Sequence, residues 1–209
     1  MTAQRAQDVL DFWFGDAPGA VEALPQRLRF WFGGDDPPEV LMVRDEDLER
    51  RFLSLTEAAA RGDLDSWSGS PRRQLALILL LDTFPRHIWR GTDRAFAQDP
   101  KALALTLQGL QQGADATLSA LERLFYYLPL SRSESAAIQE ESLAAFRRLP
   151  DEAPEGCRDA LLAALATAEE NAALIRRFGR FPQHNQLLGR RSTGIEQAFL
   201  REQAVTGRP

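Results

Sequence analysis

Residues 75–87 read LALILLLDTFPRH, an apolar run that leads directly into a charged Phe-Pro segment. A helix over Leu75–Leu81 would be apolar on every side, so it should be buried on most of its faces. Pro85 cannot donate a backbone N–H and would clash with the carbonyl of Leu81 in a regular helix. We therefore predict that the chain at Thr83 and Phe84 leaves the helix or kinks it.

The rest of the chain has the periodicity of amphipathic helices on both sides of this run. Apolar residues follow helical spacing from 39 to 61 and from 161 to 178, as expected for helices that bury one face. Ser70-Pro71 predicts a helix start, and Pro129 predicts a helix end. Ser131 with Glu134, and Thr193 with Glu196, match the capping-box pattern at helix starts.

Strand signals are lacking, because runs that alternate Val, Ile and Thr with polar residues do not occur. We predict an all-α protein of about nine helices joined by short loops, with neighbouring helices packed as antiparallel hairpins. Residues 20–37 are expected to form a short helix and a loop. The whole chain, 1–209, is interpreted as a single all-α domain, since 209 residues suffice for one large core.

The amino-acid composition of the chain favours some classes of protein and argues against others. Hydrophobic residues make up 44% of the chain and charged residues 26%, as in soluble globular proteins. The net charge of −5 argues against general nucleic-acid binding, which usually needs a strongly basic domain. A single cysteine, Cys157, fits a reducing compartment, and the apolar run at 75–81 is too short to cross a membrane. We expect a cytoplasmic protein.

A second Phe-Pro segment, Gly179-Arg180-Phe181-Pro182-Gln183-His184-Asn185, resembles the first in its basic surroundings. The only two histidines of the chain, His87 and His184, each stand two residues after the proline of one segment. This concentration predicts a shared site formed by the two segments.

The charged residues of the first segment allow two interpretations. Asp82 follows a buried apolar helix, where an unpaired carboxylate would be costly. It is therefore expected to pair with Arg86 or Arg90 and to lock the bend. Alternatively, Arg86 and Arg90 face a cleft and hold an anionic ligand.

In the second segment, Arg180, His184 and Asn185 lie beyond the preceding helix and suggest a pocket for phosphate or carboxylate. An RNA-contacting patch is a weaker alternative because the chain is acidic. Glu122 and Arg123 form either an interhelical ion pair or part of a groove beside the tyrosines at 126 and 127.

Signatures of common catalytic and metal sites do not occur in the sequence, so no cofactor or metal is expected. The favoured hypothesis is a non-enzymatic binding or adaptor module with an arginine-lined groove for a small anionic ligand or a peptide. The alternative is a hydrolase in which Asp82, Glu122 and His184 perform acid–base chemistry, with Arg86 and Arg180 as anion clamps. That alternative requires these side chains to converge on one cavity.

Four ordered motifs resemble a bacterial family of unknown function, family 924. They are Val9 to Gly15, Leu81 to Thr92, Glu122-Arg123 with Tyr126 to Leu130, and Phe178 to Pro182 with Asn185 to Thr193. The resemblance implies an all-α fold with hairpins similar to tetratricopeptide-like folds, and no established activity.

The chain departs from the family pattern at several positions. Arg132, Asn171 and Gln183 replace histidines of the family, whereas His87 and His184 are new. Any shared role would therefore reside in the matching arginine, Phe-Pro and asparagine positions.

Overall fold

A computed structural model describes residues 2–15, 24–32, 37–153 and 156–206. These residues contain helices and connecting turns but no strand, which confirms the all-α prediction. The helices are α1 (Thr2–Phe14), α2 (Leu24–Phe32), α3 (Pro38–Arg61), α4 (Pro71–Ile78), α5 (Phe84–Ile88), α6 (Asp99–Gln111), α7 (Ala120–Ser131), α8 (Ala136–Phe146), α9 (Arg158–Phe178) and α10 (Gly194–Thr206).

Helices α4 and α5 belong to one continuous rod. They are joined by a single π turn over Leu79–Thr83, in which the N–H of Phe84 donates to the carbonyl of Leu79. The chain therefore does not leave the helix before Pro85. The π turn is wider than an α turn. It therefore accommodates Pro85, which has no backbone N–H to donate, and leaves space for the proline ring. Counting this rod once, the described residues hold nine helices, the number predicted.

The rod is the centre of the core. Every residue from Gln74 to Pro85 is buried, because α1, α6 and α7 pack against α4 and α3 packs against α5. Such enclosure explains why the apolar run has no polar face. Aromatic rings from α1, α3 and α7 meet around it, with Trp13 5.5 Å from Phe84 and 5.4 Å from Phe125 between ring centroids.

Two predicted helix boundaries were wrong. Pro129 lies inside α7, which continues to Ser131. The N-cap of α8 is Ser135, not Ser131, and Glu134 bonds to a different part of the chain. A proline near the last turn removes only one intrahelical hydrogen bond, so the helix can continue beyond it.

The expected short helix at 20–37 corresponds to α2, and the loop at 33–36 lies outside the described residues. Consecutive helices α6 to α9 contact one another in sequence order. The tetratricopeptide-like arrangement and the single domain spanning 1–209 remain predictions. Within the described ranges, every helix is too short or too polar to span a bilayer.

Candidate functional site

The two Phe-Pro segments approach each other at Phe96, which lines a cavity of about 320 Å³. The His184 ring of the second segment lies 4.7 Å from the Phe96 ring between centroids, and the Arg86 guanidinium of the first segment lies 5.2 Å from the centroid of the same Phe96 ring. The predicted proximity of the segments is thus found. The cavity is lined by Phe96, Asp99, Pro100, Leu103, Pro129, Arg132, Ser133, Glu134, Phe181, His184 and Leu188.

Asp82 pairs with Arg132, which lines this cavity. Its side chain is fully buried at the π turn, and it accepts hydrogen bonds from Arg86 at 3.4 Å and from Arg132. The Thr83 hydroxyl donates to the same carboxylate at 3.3 Å. The expected pairing of Asp82 with Arg86 is present. Arg132, just after α7, is a second partner that the sequence did not suggest.

Arg86 forms an ion pair within the protein through both terminal nitrogens. Its Nη1 and Nη2 donate to the two carboxylate oxygens of Asp99 at 2.9 and 2.8 Å, a bidentate pair. Nη1 also lies 2.8 Å from the backbone carbonyl oxygen of Asp82. Arg86 therefore joins the π turn to the start of α6, and its Nη1–Nη2 edge is occupied by Asp99.

Arg132 is engaged at one nitrogen only. Its Nη1 donates to Asp82, whereas Nε and Nη2 have no hydrogen-bond partner among the described residues. The side chain is 24% exposed and lines the cavity. The Nε–Nη2 edge of a guanidinium can bind a planar anion through two parallel hydrogen bonds. Arg132 is thus the arginine of the cavity with an available edge.

Burial and neighbouring positive charges shift the pKa values of the ionisable groups around the cavity. Burial and the neighbouring Arg86 lower the pKa of Arg132 to about 10, although Asp82 acts in the opposite direction. Burial and Arg86 also lower the pKa of His184 to about 4, so this imidazole is neutral at pH 7. Burial raises the pKa of Asp99 despite its pairing with Arg86.

The second Phe-Pro segment is held by its own ion pairs. The last turn of α9 ends at Gly179, whose φ of +71° lies in the left-handed region that glycine adopts without strain. Arg180 then donates from Nε and Nη2 to the buried Glu196 at 2.6 and 2.8 Å. Glu196 also completes the predicted capping box with Thr193. Arg180 is therefore a structural link to α10.

Glu134 fixes the rim of the cavity. It accepts the backbone N–H of Phe181 at 2.8 Å and a bidentate pair from Arg190 at 2.6 and 2.9 Å. Asn185 is buried next to this rim and donates to the Ser192 hydroxyl at 3.1 Å. These bonds orient the Phe181 and His184 rings, whose centroids are 5.3 Å apart.

Of the eight predicted site residues only His184 lines the cavity, and three of the others, Arg90, Arg123 and Glu122, have their partners in other parts of the fold. Arg90 donates to Asp45 at 2.7 Å, beside His87, whose Nδ1 lies 2.8 Å from the same carboxylate. Arg123 pairs with Glu152. Glu122 caps the start of α7, as described next.

Glu122 forms a capping box with Ser119 and pairs with Arg72 at 3.0 Å. It stands ten residues before Arg132, which at about 1.5 Å per helical residue separates the two by roughly 15 Å. His184 lines the cavity and Asp82 pairs with Arg132 on its wall, but Glu122 does not reach it. The three proposed acid–base residues therefore do not converge.

Sequence reasoning missed Phe96, Asp99 and Arg132. Asp99 starts α6, and Arg132 follows Pro129, where the sequence predicts a helix end, so neither residue lies in a Phe-Pro segment. The capping box of Ser119 and Glu122 was also missed, although its Ser-x-x-Glu pattern is legible.

Comparison with known proteins gives the family. The model of the family described as bacterial protein of unknown function (DUF924) matches residues 9–204. The chain belongs to DUF924. Among solved structures, a protein of unknown function from Agrobacterium tumefaciens is 34% identical, with a TM-score of 0.77. The match covers 97% of this chain and 99% of that one. No match was found among proteins with curated functions. Membership in DUF924 therefore identifies the fold of the chain, but the family has no established activity from which a function could be inferred.

Proposed function

We propose that this DUF924 member is a non-enzymatic binding module for a small anionic ligand, which it holds in the cavity between the two Phe-Pro segments. The observation that carries the proposal is the unpaired Nε–Nη2 edge of Arg132 in an open cavity. The N–H groups of this edge can donate to one carboxylate or phosphate group while Nη1 keeps its ion pair with Asp82.

The size of the cavity favours a small molecule over a peptide. Its volume of about 320 Å³ falls at the lower end of the range of about 300–1,000 Å³ typical of ligand pockets. Six of its eleven lining residues are apolar, and the polar groups come from Asp99, Arg132, Ser133, Glu134 and His184. This combination is usual in sites that bind small ligands.

The arginines expected to clamp the anion contribute indirectly. Arg86 forms a bidentate ion pair with Asp99, and Arg180 forms one with Glu196. In the proposal they hold the walls of the cavity, and Arg132 makes the contact with the ligand. We further propose that the protein acts in the cytoplasm, since its single cysteine, Cys157, is free and buried.

A thermal-shift screen of small anions tests the proposal, because a ligand that binds the native state raises the apparent melting temperature. The matched variant is Leu188→Trp, which fills the cavity without removing a charged group. We expect at least one carboxylate or phosphate compound to stabilise the wild type and to lose its effect on Leu188→Trp. Equal stabilisation of both proteins by every active compound would refute binding in this cavity.

A further inference from the structure

We infer that the ligand of this cavity carries a single carboxylate on a flat apolar body, such as an aromatic monocarboxylate. The inference rests on the proposed binding function and names its ligand class. Three observations support it: the balance of charge, the single open guanidinium edge and the aromatic walls.

Charges around the cavity are balanced. Asp82, Asp99 and Glu134 carry three negative charges, and Arg86, Arg132 and Arg190 carry three positive charges. His184 adds no charge at pH 7, because burial and Arg86 lower its pKa to about 4. The site therefore has no surplus of positive charge to attract a multiply charged anion.

Two carboxylates lie where a larger anion would approach. Asp99 and Glu134 both line the cavity, each in a bidentate pair with an arginine. A phosphate dianion would experience repulsion from both of them. A monocarboxylate has half the charge, and its two oxygens match the two donors that remain on Arg132.

Aromatic and aliphatic surfaces form the rest of the cavity. The rings of Phe96 and Phe181 lie 4.7 and 5.3 Å from the His184 ring between centroids. Leu103 and Leu188 complete the apolar wall. Aromatic rings prefer to pack against other rings in offset or edge-to-face geometry. A flat ring bearing the carboxylate would gain contacts that inorganic phosphate cannot make.

Isothermal titration calorimetry with benzoate, benzamide and inorganic phosphate, at matched ionic strength, tests the ligand class. We expect benzoate to bind at one site, and benzamide and phosphate to bind at least tenfold more weakly. Benzamide keeps the ring but loses the charge, and phosphate keeps the charge but loses the ring.

Three variants locate the binding. Arg132→Gln should weaken benzoate binding at least tenfold, and Leu188→Trp should abolish it. Arg176→Gln is the matched control, since Arg176 forms an exposed ion pair with Glu140 away from the cavity, and it should bind as the wild type does. Should Leu188→Trp fail to fold, Arg132→Gln and its control still decide the outcome.

The possible failures are distinguishable. Phosphate binding as tight as benzoate binding would overturn the ligand class and leave the proposed function intact. Benzamide binding as tight as benzoate binding would overturn the role of the carboxylate. If none of these compounds binds and the thermal-shift screen finds no other anion, the proposed function falls together with the inference.

Discussion

Asp82→Asn is expected to destabilise the protein strongly, because it removes the negative charge on which two arginines converge. Asp82 is fully buried, and its carboxylate binds both Arg86 and Arg132. The substitution preserves the shape of the side chain, so it changes the charge with little change in packing. Arg86 keeps Asp99 as a partner, whereas Arg132 loses the only carboxylate that pairs with it in the described part of the chain.

Removing one partner from a buried ion pair costs about 3–5 kcal/mol, since an uncompensated charge remains in the interior. For a protein of this length each kcal/mol lowers the melting temperature by about 2–4 °C. We therefore expect a decrease of roughly 6–20 °C. Urea unfolding followed by circular dichroism should give the corresponding loss in free energy of unfolding.

A double-mutant cycle separates the ion pair from general disruption. Arg132→Gln alone should cost less than Asp82→Asn, because Arg86 still neutralises Asp82. The double variant should be more stable than the sum of the two single losses predicts, by about 0.5–3 kcal/mol. Asp63→Asn, at an exposed pair with Arg61, is the control and should change stability by less than about 0.5 kcal/mol. A loss below about 1 kcal/mol for Asp82→Asn would refute the reasoning.

Three further predictions concern other parts of the molecule. Since burial and Arg86 lower the pKa of His184 from 6.5 to about 4, the unfolded chain takes up this proton first as the pH falls. Stability should therefore decrease between about pH 6.5 and 4, by about 1–2 kcal/mol more in the wild type than in His184→Asn, measured by urea unfolding. Ser119→Ala should cost about 1 kcal/mol in the same assay, because it removes a helix cap, and should leave anion binding unchanged. Gly109→Ala should cost about 1–3 kcal/mol or more by thermal unfolding, because the new Cβ would lie 1.6 Å from the Tyr126 hydroxyl oxygen; unchanged stability would contradict the packing of α6 against α7.

The all-α class was predictable because it depends on local signals. Apolar residues at helical spacing, together with an apolar run that has no polar face, require a buried helix among other helices. The π turn at Leu79–Thr83 was only partly predictable. Proline chemistry predicts a disturbance of the helix before Pro85, but tertiary packing of the surrounding helices decides whether the chain leaves the helix or widens one turn.

The approach of the two Phe-Pro segments to each other could be predicted from the sequence, but the part that Arg132 plays in the cavity could not. The placement of His87 and His184 suggested that the segments converge, and the cavity does bring His184 close to the partners of Asp82. His87 instead lies against Asp45. Arg132 is distant in sequence from both segments and follows α7, so only the packing of α7 against the central rod reveals that it reaches Asp82.

The central claim is that an anion binds between Arg132 and His184, and the pKa of His184 tests it most directly. The chain has only two histidines, so proton NMR resolves both and His184→Asn assigns them. Burial lowers the pKa of His184 most in the free protein, Arg86, Arg190 and Arg132 lower it further, and Glu134 acts against them. Saturation with benzoate should raise this pKa measurably above its free value of about 4, because a negative charge beside the ring stabilises the imidazolium. An unchanged pKa of His184 in the presence of a bound anion would contradict the account.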